Sequence, residues 1–125
     1  MNIKIEQERD GDALVLLPIE RIDGSNARAF ELLIMGLIDN GERQLVIDCA
    51  RLDFISSSGL RVLLVAAKAL KASNRPLAVC AMSARIEDIF RISGMDRVVR
   101  PEASRAAAVA AACAPMASGG PARSS

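Results

Sequence analysis

The chain opens with alternating positions. Ile3 to Glu8 and Ala13 to Ile19 read as two strands, and Asp10-Gly11-Asp12 between them contains an Asp-Gly step that favours a hairpin. After the cap-rich turn Asp23-Gly24-Ser25 the period becomes helical, with Ala27, Phe30, Ile34, Leu37 and Ile38 on one face. Gly41 suits the left-handed position just past that helix. The run Gln44-Leu45-Val46-Ile47, closed by Asp48, is apolar and partly β-branched. It predicts a central strand buried on both faces.

Arg51 to Ile55 reads as a loop, and the serines after it open a second helix. Its inner stripe is Leu60, Leu63, Leu64, Ala67 and Leu70, and it stops by Asn74-Arg75-Pro76. Leu77 to Cys80 is another short buried strand. Ser83 is placed to cap a third helix that turns Ile86, Ile89 and Phe90 inward, with Gly94 as its terminator. Val98-Val99 predicts a final edge strand, and Glu102 to Cys113 an alanine-rich helix.

The order β-β-α-β-α-β-α, then a weak strand and a helix, predicts an α/β fold: a mixed, mostly parallel-centred sheet with helices packed on it. A right-handed crossover through the second helix joins parallel strands, so the loop that enters this helix and the turn carrying Asp23 are expected at one end of the sheet. Residues 1–113 form the predicted domain. From Ala114 onward small residues, Pro115, Gly119, Gly120 and Pro121 leave nothing to bury, so 114–125 reads as a disordered tail.

Composition changes this picture mainly by exclusion. The 125 residues fit one domain, and 51% hydrophobic residues suffice for its core. A formal net charge of +1 gives no global field toward nucleic acid or an anionic membrane, and three Phe with no Trp or Tyr leave few stacking platforms for bases. With no His there is no Ser-His-Asp triad and no imidazole metal ligand. Cys49, Cys80 and Cys113 form neither a CxxC pair nor a zinc spacing, and Cys49 and Cys80 read as small buried apolar residues. The alternating start is unlike a signal peptide, and charges interrupt every apolar run before membrane-spanning length. Cytoplasmic residence is the expectation.

Candidate chemistry concentrates between Leu45 and Leu64, where a strand feeds a short loop that delivers Ser56-Ser57-Ser58-Gly59 to the start of an apolar helix. Unpaired N–H groups at a helix start favour negative charge, so a serine there can cap the helix or carry a phosphate without breaking it. The plain reading is a cap and a turn, because serine is a preferred cap. A nucleophile elbow is rejected. Ile55 stands where its first Gly belongs, no His exists to activate Ser57, and Lys68 and Lys71 lie far along the helix.

The block Leu45 to Leu64 resembles the STAS domain, in particular the stand-alone anti-sigma-factor antagonists of bacteria. The pattern is an apolar strand ending in Asp48, a short loop with an aromatic, then Ser56, Ser57, Ser58, Gly59-Leu60 and an apolar helix. The likeness runs from about Ile3 to Ala112, including Asp23 and the stretch Ile92-Ser93-Gly94-Met95-Asp96-Arg97. Two separated matches in the right order are more specific than a lone motif.

The resemblance implies that Ser57, two places before Gly59, is the phosphoacceptor; many members carry Asp just before it, and Ser56 in that place makes a second, lesser candidate. It implies a partner-binding set of Asp23, Ser56, Ser58, Gly59 and Arg61, with Ser58 also a candidate cap. Asp23 reads equally as a cap for the first helix, and Asp48 and Asp53 as residues that cap or solvate the loop.

The implied partners are an anti-sigma factor that is also a serine kinase with a histidine-kinase-like ATPase fold, and a metal-dependent serine phosphatase. ATP and metal belong to them, so no cofactor, catalytic residue, nucleic acid or membrane is expected for this chain. Two alternatives stay open: an accessory subunit regulating a membrane transport complex, and a partner-switching module whose output is not a sigma factor.

Overall fold

The computed structural model describes residues 3–114. Strands β1 (Ile5–Asp10) and β2 (Ala13–Pro18) form an antiparallel hairpin closed by Gly11 and Asp12, with Gly11 at φ +61°. A three-residue strand, β3 (Glu20–Ile22), leads through a turn into α1 (Ala27–Asp39). Then follow β4 (Leu45–Asp48), β5 (Leu52–Ile55), α2 (Ser57–Lys71), β6 (Ala78–Cys80) and α3 (Ala84–Ser93). A 3-10 turn at Met95–Arg97, β7 (Arg100–Glu102) and α4 (Arg105–Cys113) follow among the described residues.

The main sheet has the order β1-β2-β4-β6-β7, antiparallel between β1 and β2 and parallel elsewhere. This is the mixed, parallel-centred α/β sheet that the alternating pattern predicts, with β4 in the middle. Because successive strand side chains point to opposite faces, each inner strand serves two cores. Leu14, Leu16, Leu45, Ile47, Leu77 and Val79 meet α1, α2 and α3 on one face. Ala13, Val15, Leu17, Val46, Ala78 and Cys80 meet α4 on the other.

The helices follow the predicted stripes. Phe30 and Ile34 of α1, Leu63 and Leu70 of α2, and Ile86 and Phe90 of α3 are all buried, whereas Leu37, Leu64 and Ile89 are only partly so. Gly41 beyond α1 (φ +104°) and Gly94 beyond α3 (φ +80°) both take the left-handed conformation expected of them. Cys49 and Cys80 are buried, and desolvation pushes their thiols up to about 12 and about 11. They belong to opposite faces of the sheet.

Three expectations are corrected. Residues 52–55 are a strand rather than a loop: Leu52 and Ile55 are buried, and β5 pairs in parallel with β3 as a separate two-stranded sheet. Val98 and Val99 are not a strand. They close the 3-10 turn, with both N–H groups directed at the Met95 carbonyl, and the edge strand begins at Arg100. The last helix starts at Arg105, where Ser104 Oγ accepts the Ala107 N–H at 3.1 Å, not at Glu102. The predicted tail lies outside the described residues apart from Ala114.

Candidate functional site

The two-stranded sheet sets the geometry of the site. Ile22 pairs with Ile55, and just beyond them the Ser56 N–H donates to the Ile22 carbonyl at 2.8 Å. The turn after β3, which carries Asp23, therefore lies beside the start of α2, which carries the serines. A loop at 51–55 would have left this juxtaposition loose; the strand pairing fixes it.

Ser56 is the cap of α2. Its backbone is extended (φ −86°, ψ 173°), and its Oγ accepts the Gly59 N–H at 3.3 Å. Ser58 is not a cap, because it already lies inside the helix. Ser57 and Ser58 occupy the first turn with exposed side chains, and Arg61 one turn on is also exposed. The remaining first-turn N–H groups have no acceptor within the helix and attract negative charge.

Gly59 is buried and is there for fit. A Cβ at that position would sit 2.7 Å from Ile55 Cγ1 and 2.8 Å from Ile22 Cγ2. The missing side chain lets α2 start directly against the β3–β5 pair, so Gly59 positions the serines.

Asp23 does not cap α1 with its side chain. Its Oδ1 accepts the Ser25 hydroxyl at 2.6 Å and the Ser25 N–H at 2.9 Å, and its Oδ2 accepts Arg21 Nε at 2.7 Å. These bonds, those from Ser25 foremost, hold the Asp23 carboxyl below the usual carboxylate range. Asn26 locks the same turn by accepting the Asp23 N–H and donating to the Arg21 carbonyl, both at 2.9 Å.

Of the other two carboxylates in this stretch, Asp53 on β5 is exposed. Asp48 is buried, accepting the Ala50 N–H at 3.0 Å and Arg105 Nε at 3.0 Å.

Arg21 was not anticipated. Besides pairing with Asp23, its guanidinium lies 5.1 Å from the centroid of the Phe54 ring on the neighbouring strand. The strand of Arg21, Glu20–Ile22, is too short to announce itself by period, and Asp23 lies just past its end, so the pairing left no pattern to read. Among the described residues no His, Cys, Asp and Glu group could hold a metal, and no helix is long and apolar enough to cross a membrane.

Fold and site together define an α/β domain whose exposed chemistry is a pair of hydroxyls on a rigid helix start. Residues 4–108 match the family model described as the STAS domain. BtrV of Bordetella bronchiseptica, provisionally named an anti-sigma factor antagonist, is 39% identical over 90 residues, which is 72% of this chain and 78% of that protein. The chain belongs to the STAS domain family, in its group of anti-sigma-factor antagonists.

Solved structures share the fold. An anti-sigma factor antagonist from Mycobacterium paratuberculosis superposes with a TM-score of 0.79 at 22% identity, over 89% of this chain and 94% of that one. The phosphorylated form of SpoIIAA, a Bacillus cell fate determinant, gives 0.65 at 19% identity over 83% and 96%.

Proposed function

We propose that this chain is an anti-sigma-factor antagonist switched by phosphorylation of Ser57. The observation that carries the reading is the division of labour at the start of α2. Ser56 closes the helix end, which leaves Ser57 exposed and uncommitted beside the Asp23 turn. In this reading the unmodified chain binds an anti-sigma factor that is also a serine kinase with a histidine-kinase-like ATPase fold, and so frees the sigma factor. Asp23, Ser56, Ser58, Gly59 and Arg61 belong to the contact surface. A metal-dependent serine phosphatase restores the unmodified form, and the chain itself catalyses nothing. The name of the Bordetella relative supports the anti-sigma partner, and the phosphorylated form of SpoIIAA supports a modification on this scaffold.

The switch is local. Phosphate adds roughly −1.5 to −2 charge at pH 7, which the α2 N-terminus stabilises rather than opposes. The helix therefore persists, while Asp23, ionised at neutral pH and already paired with Arg21, leaves the added phosphate charge uncompensated from its side. A partner shaped for a neutral hydroxyl then faces an uncompensated charge, a cost of about a few kcal/mol when desolvated.

Incubation with the cognate kinase and ATP, followed by tandem mass spectrometry, is expected to place one phosphate on Ser57. Ser57→Ala should block labelling yet bind the kinase, and Ser57→Asp should bind weakly. Phosphate on Ser56 or Ser58 with Ser57 unmodified would overturn the assignment. Amide shifts on phosphorylation should cluster near Asp23 and from Ile55 to Arg61; shifts spreading to Leu77–Phe90 would exclude a local mechanism.

A further inference from the structure

At the far end of α2, a surface cavity of about 280 Å³ opens between the helix end, the residues entering β6 and the turn at Arg97–Val98. Four cations line it, Lys68, Lys71, Arg75 and Arg97, and no carboxylate does. None of the four makes an ion pair among the described residues. For a chain with a net charge of +1, this is a local concentration rather than a general excess.

Two features keep the charge available. Lysines at a helix C-terminus ordinarily answer its exposed carbonyls. Here the carbonyls of Lys68, Leu70 and Lys71 already accept the N–H groups of Ala72, Ser73 and Asn74. Arg75 is held in place, with its N–H on the Leu70 carbonyl at 3.1 Å and Nη1 on the Cys113 carbonyl at 2.6 Å. The floor is apolar: Leu77 and Ala67 are buried, and Val98 is 42% exposed at the rim. Ligand pockets join an apolar lining to a few convergent polar groups over roughly 300–1,000 Å³, so this cavity suits a ligand at the small end.

We propose that the cavity binds a small amphipathic anion, taken from solution. Lys68, Lys71 and Arg97 hold its carboxylate or phosphate head, and its hydrocarbon body lies on Leu77, Ala67 and Val98. The site is separated from Ser57 by the length of α2, about 20 Å at 1.5 Å per residue, and does not depend on Ser57 being the phosphoacceptor. A second groove, lined by Glu87, Asp88 and Asp96 with Arg91 paired to Asp88, is net negative and serves as an internal control.

The test is an NMR titration of the full chain with decanoate and decyl phosphate below their micelle concentrations, beside decyltrimethylammonium and inorganic phosphate. The two amphipathic anions should give saturable shifts at Ala67, Leu77 and Val98, and the two controls none there. The double variant Lys68→Glu/Lys71→Glu, with unchanged circular dichroism, should weaken binding by about tenfold or more, as loss of charge-assisted contacts implies. Absence of saturable shifts, equal shifts from the cationic amphiphile, or full affinity in the double variant would overturn the proposal. With phosphatidylglycerol vesicles the chain should stay in the supernatant. Sedimentation that the double variant abolishes would overturn a free ligand in favour of a lipid headgroup.

Discussion

The turns that lead into α1 and α2 lie side by side, yet they use their polar side chains differently. Before α1, each one is engaged: Asp23 by Ser25 and Arg21, Asn26 by the Asp23 N–H and the Arg21 carbonyl. Before α2, Ser56 alone closes the helix end, and Ser57 and Ser58 face solvent. A saturated turn is a fixed wall. An unsaturated one offers hydroxyls that can be changed without unfolding what lies beneath. The contrast separates side chains that build the surface from side chains left exposed on it.

The largest effect should come from disturbing the contact that holds the two turns together. Gly59→Ala drives a Cβ into Ile55 and Ile22, both buried and stiff. Overpacking of this kind costs about 1–3 kcal/mol, only partly offset by the ~1 kcal/mol helical preference of Ala over Gly. Urea denaturation should show a lower midpoint with an unchanged slope, and a midpoint equal to wild type would refute the close approach.

Next in size are the building residues. Ser56→Ala and Asn26→Ala should each lose about 1 kcal/mol, the first as a broken cap and the second as a broken turn. Ser57→Ala should stay within about 0.5 kcal/mol of wild type, as exposed substitutions do. Equal losses at Ser56 and Ser57 in thermal melts would erase the distinction between the capping and the exposed serine.

The smallest effect is electrostatic. The Asp23 pKa is lowered in the folded state, so its contribution is present above the ordinary carboxylate pKa and is lost as pH falls through the folded value. Asp23→Asn should therefore be less stable than wild type near neutrality, by a margin that shrinks under acid. Denaturation midpoints at pH 7 and pH 3 give the comparison, and a constant gap would contradict it.

What the sequence made legible was whatever repeats. The stripes Ala27–Phe30–Ile34–Ile38 and Leu60–Leu63–Ala67–Leu70 and the doubly buried run Leu45–Ile47 announce two helices and the central strand through period and hydrophobicity alone. Ser57 and Asp23 stood out by residue type and by resemblance, and the structure places them on adjoining turns. The β3–β5 pair was not legible. Three residues, Glu20 with an unusual positive φ of 71°, and a register shift beside it give no period to detect, while Asp53 breaks the apolar pattern of β5. Arg21 stayed hidden with its strand. The cap fell to Ser56 rather than Ser58 because pairing with Ile22 ends the strand at Ile55, one residue before the helix turns.

The alanine helix α4 has a bearing on how the chain folds as it is made. It is the last element described, yet it covers the face presented by Ala13, Val15 and Val46, and its Arg105 reaches Asp48 and Glu8, which precede it by 57 and 97 residues. Contacts of such separation form late and slow the approach to the native state. Until α4 has emerged from the ribosome, the nascent sheet exposes a flat apolar face formed by its earliest strands. A chain arrested before Arg105 would already carry the surface from Asp23 to Arg61 and still be the form most prone to self-association.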